Sequence, residues 1–317
     1  QGLECLLRII RIGHEPPSPA REPWYFRRVM TPDVRPFLHQ PTSTWSYVVS
    51  DRESRAAAVI DPALDFDIHS GRCWTAAADE IVAFAQRESL VVEWILETHA
   101  HADHLSAAPH LKSMLGGRIA IGEGIRQVQQ TFRDLFNLGP AFPVDGRQFD
   151  RLLGDGEEFR LGSLALRAIS TPGHTSDSLS YLIGDAVFVG DTIFMPDGGT
   201  ARCDFPGGDA TVLHASIRRL YELPLQTRVF VCHDYGPGGR ELRCETTIAA
   251  ERAGNIHLRD GVTEAEFVAL RTQRDAGLAV PKLLYPSVQA NIRAGHLPEP
   301  EANGRRYLKL PLTCPAA

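Results

Sequence analysis

The chain has 317 residues, of which 43% are hydrophobic and 23% are charged, a composition typical of a globular protein with one large domain or two smaller ones. Its formal net charge of −6 at pH 7 argues against a nucleic-acid partner, which usually requires a basic surface. No apolar run approaches the roughly 18–20 residues needed to span a bilayer, so we expect no membrane partner.

The cysteines are scattered along the chain and include no C-x-x-C pair. In a chain of this length, that distribution favours reduced thiols in a reducing compartment over a disulfide framework. The residues concerned are Cys5, Cys73, Cys203, Cys232, Cys244 and Cys314.

The first 29 residues differ from the rest, because they include a Pro-rich stretch and precede the first methionine, Met30. Three interpretations compete: a translated upstream sequence that is not native, an Arg-containing transit peptide, and an N-terminal arm. We favour the first, since residues 31 onward are at once typical of a compact domain. The predicted organisation is an extension over 1–29, a catalytic domain over 30–245 and a helical or loop-rich cap over 246–317.

Apolar runs and helical periodicity alternate along the predicted catalytic domain and indicate two similar halves, each with strands and outer helices. The predicted strands are 44–50, 56–62, 91–97, 118–121, 157–161, 164–169, 179–183, 186–189 and 228–232. The predicted helices are 74–88, 124–136, 211–223 and 263–277, and the remainder of the tail is predicted to be Pro-punctuated loop. Gly184-Asp185 is a hairpin signal between two of the strands.

The most informative segment follows the predicted strand 91–97 and contains His99, His101, Asp103 and His104 within six residues. Histidine is the commonest metal ligand, and a neighbouring carboxylate suits divalent Zn, Fe or Mn. The segment 105–111 resembles the opening of a helix, so the cluster lies where a strand gives way to a helix. Open α/β sheets place their active sites at such positions.

Three further candidate ligands, His174, Asp191 and His233, also follow predicted strands. Each has an ordinary alternative, since a loop histidine is usually solvated and a strand-end aspartate usually caps a helix or forms a turn. The repetition of one pattern, an apolar strand followed by a small residue and a ligand, favours a shared metal site. Glycines beside His174 and Asp191 would allow close backbone approach.

In this order, the seven candidate ligands resemble the metal site of the metallo-β-lactamase superfamily. The resemblance implies an α/β fold, the αββα sandwich, with metal in a cleft at one edge of two sheets. The segments 192–208, 233–235, 245–247 and 291–295 look like those of bacterial persulfide dioxygenases, which extends the similarity to residues 31–313.

The closer resemblance implies that one Fe(II) is held by His99, His174 and Asp191, a two-His-one-carboxylate set that leaves open positions on iron. The implied reaction oxidises glutathione persulfide with O₂ to sulfite and glutathione. Zinc, which has no redox change available, would be inactive in it. The resemblance also favours a bacterial cytoplasmic homodimer, with the mitochondrial matrix as the alternative compartment.

The other four positions are His101, Asp103, His104 and His233, and they would form a second shell around the iron or bind a second metal. In the second case Asp191 would bridge two zinc ions, and the protein would be a glyoxalase II-like thioester hydrolase. A non-catalytic metal-binding or flavin-partnered scaffold is disfavoured, because no flavodoxin-like domain follows in this chain.

Glutathione carries two carboxylates, so its pocket should offer arginine, and Arg202 and Arg293 are the candidates. Tyr235 is expected near the metal or the substrate sulfur. Asp204 and Asp234 are interpreted as structural. Cys203 has no base paired with it, so we do not expect a nucleophile there. Six histidines fit no ligand pattern: His39, His69, His110, His214, His257 and His296.

Overall fold

The structure is a computed structural model that describes residues 30–312, so the predictions for 1–29, Cys5 and Cys314 lie outside the described residues. The described strands are β1 (Asp33–His39), β2 (Thr44–Ser50), β3 (Ala56–Ile60), β4 (Ala63–Asp67), β5 (Arg72–Trp74), β6 (Val91–Leu96), β7 (Leu105–Ser106), β8 (Arg118–Gly122), β9 (Arg151–Leu153), β10 (Glu158–Leu161), β11 (Leu164–Ser170), β12 (Leu179–Ile183), β13 (Ala186–Phe188), β14 (Arg228–Phe230) and β15 (Glu245–Thr247). The described helices are α1 (Ala76–Arg87), α2 (Ala108–Leu115), α3 (Ile125–Leu135), α4 (Ala210–Leu220), α5 (Ile248–Gly254), α6 (Glu264–Asp275) and α7 (Leu284–Asn291).

Two mixed six-stranded sheets form the centre of the molecule, with the strand orders β1-β2-β3-β6-β8-β9 and β10-β11-β12-β13-β14-β15. In the first sheet β3, β6, β8 and β9 run parallel, and in the second sheet β13 and β14 run parallel. A small third sheet, β5-β4-β7, lies beside them. Parallel neighbours end at the same sheet edge, and several loops therefore converge there.

Three apolar clusters define four layers. Between the sheets, Tyr47 and Trp94 of the first sheet pack against a cluster that includes Tyr181 and Phe188 of the second. The other two clusters join the outer face of the first sheet to α1, α2 and α3, and that of the second sheet to α4 and α6. This arrangement is the predicted αββα sandwich, because each sheet buries one face against its partner sheet and the other against helices.

The predicted helices and strands are confirmed to within a few residues, with two corrections. The segment 105–111 does not open as a helix: β7 (Leu105–Ser106) pairs with β4 first, and α2 begins at Ala108. The tail outside 263–277 is not all loop, because α5 (Ile248–Gly254) and α7 (Leu284–Asn291) both form. Helix α7 has Pro286 in its first turn, where the missing N–H has no intrahelical partner to lose. Between residues 30 and 312, no helix has both the length and the apolar character that crossing a bilayer requires.

Candidate metal centre

The seven predicted ligands meet at one edge of the sandwich, because the loops that carry them follow strands ending there. The segment 99–104 follows β6, His174 follows β11, Asp191 follows β13 and His233 follows β14. Strands β11 and β13 both pair antiparallel with β12 and so share a direction, which β14 also has. An isolated bridge between Thr44 and His233 ties this edge of the second sheet to the first.

Glycines allow these loops to approach closely, as the sequence predicted. Gly190 has φ +52, and a Cβ there would lie 2.5 Å from Thr98 Oγ1, beside the histidine segment. Gly173 has φ +132 and packs on the backbone of Leu213 in α4. A side chain at Gly190 would therefore displace Thr98 beside His99, and one at Gly173 would displace the loop of His174 from α4.

His99, His174 and Asp191 form one buried donor set. The Nε2 atoms of His99 and His174 each lie 3.7 Å from Oδ2 of Asp191, and the two imidazole rings meet edge-on at 5.2 Å. His99 is 1% exposed, and its Nε2 has no hydrogen-bond partner among residues 30–312. Buried polar atoms are normally hydrogen-bonded. Buried nitrogen and oxygen atoms that converge without hydrogen-bond partners therefore indicate that a cation binds between them.

A second donor set lies next to the first and uses the other oxygen of Asp191. His233 Nε2 lies 3.1 Å from Asp103 Oδ2 and 3.3 Å from Asp191 Oδ1, and His104 Nε2 is also buried without a partner in the described chain. One donor atom each from Asp103, His104, His233 and His101 lies within 4.8 Å of the others. The residues therefore fit one metal ion or two.

Backbone contacts orient the imidazoles. His174 Nδ1 donates to the carbonyl of Arg202 at 2.7 Å, and His233 Nδ1 donates to the carbonyl of Ser43 at 3.0 Å. A carbonyl accepts only, so the proton of each ring is held at Nδ1 and the lone pair of Nε2 faces the centre. Burial, followed by repulsion from neighbouring histidines, holds the pKa of His99 well below its usual range, which keeps this ring neutral for metal binding.

Asp61 is a site residue that the sequence reasoning missed. Its Oδ1 lies 3.0 Å from His101 Nε2, which leaves His101 Nδ1 for a metal, and it accepts from the backbone N–H of Thr98 at 2.7 Å. Asp61 follows β3, which pairs in parallel with β6, so the pairing of Ile60 with Leu96 brings it beside the histidine segment. No local pattern identifies such a residue; only the strand order does.

Asn291 closes the same segment from α7. Its side-chain amide donates to the carbonyls of His101 and His104 at 2.9 and 2.8 Å, and its oxygen accepts from Ser106 N at 2.9 Å. Asn291 begins the family-like segment 291–295, and no role is predicted for it from the sequence. Its three contacts hold the ligand loop in a compact turn.

A cavity of about 420 Å³ opens onto the centre. Its wall contains two predicted ligands of the first set, one of the second, three aromatic side chains and three arginines. It is lined by Ala102, Asp103, His174, Asp191, Phe194, Gly198, Thr200, Ala201, Arg202, Phe205, Tyr235, His257, Arg271, Arg274, Leu278 and Pro281. The C-terminal segment contributes the last five of these residues, His257 among them, so it forms one side of the cavity.

Arg202 and Tyr235, the predicted substrate-contacting residues, lie in this wall. The Arg202 guanidinium is engaged by both oxygens of Asp204, at 2.5 and 2.6 Å, and it donates to the carbonyl of Ala279 at 2.7 Å. Tyr235 is 64% exposed, and its ring lies parallel to that of His233 with centroids 6.0 Å apart.

Arg293 is not among the residues that line the cavity. Its guanidinium lies 4.7 Å from the ring centre of Phe142 and donates to the carbonyl of Gln289. Asp234 lies beneath the surface with 2% exposure and is paired with Arg240, which fits its interpretation as structural.

Cys203 is buried, and burial raises the pKa of its thiol to about 12. A thiol that stays protonated at neutral pH is a poor nucleophile, which agrees with the expectation for this residue. Cys73, Cys203, Cys232 and Cys244 are all free thiols.

Comparison with known proteins agrees with this geometry. The family described as "Metallo-beta-lactamase superfamily" matches residues 39–233. A "probable metallo-hydrolase" of Burkholderia pseudomallei is 54% identical over 88% of this chain and 98% of its own length. "Glyoxylase B2" of Dictyostelium discoideum is 49% identical over 88% of this chain and 96% of its own length. "Persulfide dioxygenase ETHE1, mitochondrial" of Mus musculus is 28% identical over 83% of this chain and 88% of its own length.

Among solved structures, ETHE1 from Myxococcus xanthus has a TM-score of 0.66 and 30% identity, and the match covers 83% of this chain and all of that one. The family match spans most of the sandwich and every one of the seven ligand positions. The αββα layers and the convergent histidine and aspartate side chains therefore have one explanation: the chain belongs to the metallo-β-lactamase superfamily and has the site of a metal-dependent enzyme.

Proposed function

We propose that this protein is an iron-dependent dioxygenase that oxidises glutathione persulfide with O₂ and water to sulfite and glutathione. The observation that carries the proposal is the placement of His99 Nε2 and His174 Nε2 at 3.7 Å from one oxygen of Asp191. Two imidazoles and one carboxylate are the donor set of non-haem Fe(II) oxygenases. The relatives named persulfide dioxygenase and ETHE1 support the same assignment.

In this proposal the chain's residues bind, orient and shield the reacting groups. The carbonyl of Arg202 holds the His174 ring, and Phe205 packs against that ring with centroids 5.3 Å apart, which keeps water from one side of the ligand. Tyr235 and Phe194 meet edge-on at 6.1 Å across the cavity wall, where the substrate sulfur would pass. Bound iron would supply the one-electron chemistry that couples closed-shell sulfur to triplet dioxygen.

A two-zinc thioester hydrolase is the second candidate, and a specific observation favours it. Asp103, His104, His233 and Oδ1 of Asp191 form a complete second donor set, so the chain has enough ligands for two ions. Asp191 would then contribute one oxygen to each ion, and the two ions would supply the activation of water that thioester hydrolysis requires. The Dictyostelium relative named glyoxylase B2 supports this alternative.

Oxygen uptake separates the two candidates. Protein purified without oxygen and reconstituted with Fe(II) should consume O₂ with glutathione persulfide, and it should leave S-lactoylglutathione intact. Hydrolysis of S-lactoylglutathione without oxygen uptake would overturn the dioxygenase proposal. Elemental analysis of native protein provides a second readout, with one iron per chain expected for the dioxygenase and two zinc ions for the hydrolase.

A matched pair of variants tests the ligand assignment. His174→Ala should lose iron and all oxygen uptake, because two protein ligands hold Fe(II) poorly. His104→Ala removes a ligand of the second set only, so it should keep one iron per chain. If His104→Ala instead loses one of two zinc ions together with thioesterase activity, the hydrolase is correct. The homodimer and the cytoplasmic compartment stay predictions.

A further inference from the structure

His257 lies in the wall of the metal cavity, although the sequence assigned it no function. The residue is 4% exposed and follows α5. Its Nδ1 accepts from the backbone N–H of Thr200 at 2.9 Å, and Arg271 Nη1 approaches the same atom at 3.4 Å. Both neighbours are obligate donors, so Nδ1 carries no proton and Nε2 carries it.

The Nε2–H group of His257 has no hydrogen-bond partner among residues 30–312. Burial, together with the positive charges of Arg271 and Arg274, lowers the pKa of His257 to about 4, so the ring is neutral under physiological conditions. A buried N–H without an acceptor is costly unless a ligand completes it. Gly199 preserves this ring position, because a Cβ built on Gly199 would overlap His257.

Arg274 lines the same cavity, and its charge is not compensated by the protein. Arg202 is paired with Asp204, and Arg271 is paired with Asp275. No ion pair or side-chain hydrogen bond involves Arg274 within residues 30–312, and its side chain is exposed. An unpaired guanidinium and an unpaired N–H in one cavity wall suit a carboxylate, which can accept from both.

We propose that His257 and Arg274 form a carboxylate-binding subsite that selects substrates carrying a carboxylate away from the reacting sulfur. The inference deepens the proposed function, since it names the part of the substrate that this wall recognises. The cavity of about 420 Å³ contains both this pair and the ligands His174 and Asp191, and it is large enough for a small ligand to contact both.

Binding of S-methylglutathione tests the subsite separately from catalysis, because this ligand is neither a persulfide nor a thioester. Isothermal titration calorimetry would use the full chain in its metal-loaded form, without oxygen. Arg274→Ala should weaken binding about 5- to 10-fold. This loss is larger than that expected for an exposed ion pair and smaller than that expected for a buried hydrogen bond to a charged group. Arg259→Ala is the matched control: it removes the same charge from an exposed position outside the cavity and should change affinity less than twofold.

His257→Asn isolates the Nε2–H group, because an asparagine oxygen can still accept from Thr200 N. This variant should fold normally and weaken binding about fivefold. The diethyl ester of S-methylglutathione has no free carboxylate, so wild type and Arg274→Ala should bind it equally. A persistent difference between wild type and Arg274→Ala with the ester would overturn the proposal.

Equal affinities of Arg274→Ala and Arg259→Ala for S-methylglutathione, or no binding of it by wild type, would also overturn the subsite. The dioxygenase proposal and the subsite can each be refuted without the other. Loss of affinity in Arg274→Ala with no oxygen uptake by wild type would refute the reaction and keep the subsite. Oxygen uptake by wild type with unchanged affinity in Arg274→Ala would refute the subsite alone.

Discussion

Replacing Asn291 by alanine should destabilise the protein and weaken its metal site. The substitution leaves the carbonyls of His101 and His104 and the N–H of Ser106 without their present partner. Asn291 is 5% exposed, so water replaces these hydrogen bonds poorly. Each buried group left unpaired costs about 1–3 kcal/mol, and partial relaxation brings the expected total to about 3–5 kcal/mol.

That loss is large compared with the roughly 5–15 kcal/mol by which domains are stable. It should appear as a lower midpoint in urea unfolding, and metal affinity should fall about 10- to 100-fold, as for other residues that orient metal ligands. Asn303→Ala is the control, since Asn303 is exposed and water can replace its two hydrogen bonds, one donated to Tyr307 Oη and one accepted from Arg305 N. If Asn291→Ala unfolds within 1 kcal/mol of wild type and retains full metal, the three contacts do not support the loop as argued.

Three shorter predictions concern other contacts. Asp61→Ala should lower metal content, because His101 loses the carboxylate that orients its ring; unchanged content by elemental analysis would contradict this. Hydrogen bonds hold the pKa of Asp51 at about 2, below its usual 3.8, against the opposing effect of burial. After solvent screening, Asp51 therefore stabilises the fold by at most about 2 kcal/mol above pH 4, and this stabilisation is lost as the pH falls through 2. The destabilisation of Asp51→Asn in urea should therefore shrink between pH 5 and pH 3, and a constant difference would refute it. Gly199→Ala should displace His257 and weaken S-methylglutathione binding, whereas normal affinity would show that the close approach is unimportant.

The sequence predicted those elements whose periodicity matched their burial. Helix α6 shows both helical spacing and a capping box, in which Thr263 and Glu266 satisfy each other's backbone N–H groups. Helix α7 was missed because nearly all its residues are buried, which removes the amphipathic pattern, and because Pro286 suggests a loop. Strand β7 was missed because a strand of two residues is too short to show an alternating hydrophobic pattern. Its partner, β4, is also distant in sequence.

The candidate metal ligands were identifiable because they follow apolar strands, where histidine and aspartate are uncommon. The residues that orient them were not. Asp61 resembles an ordinary strand-end aspartate, and His257 resembles an isolated loop histidine. Their roles depend on neighbours far along the chain: Asp61 meets His101 through the parallel pairing of β3 with β6, and His257 meets Thr200 across 57 residues.

The amino-acid sequence by itself determined the alternation of strands and helices, the seven candidate ligands and the superfamily, because these depend on residue type and local spacing. The tertiary structure decided that Nε2 of His174 and of His233 faces the candidate metal centre, and which arginines in the cavity are already paired. It also decided that Arg293 lies against Phe142, outside the cavity wall. Hydrogen bonds and ion pairs are made between groups distant in sequence, so only the packed chain decides which charges remain available for a ligand.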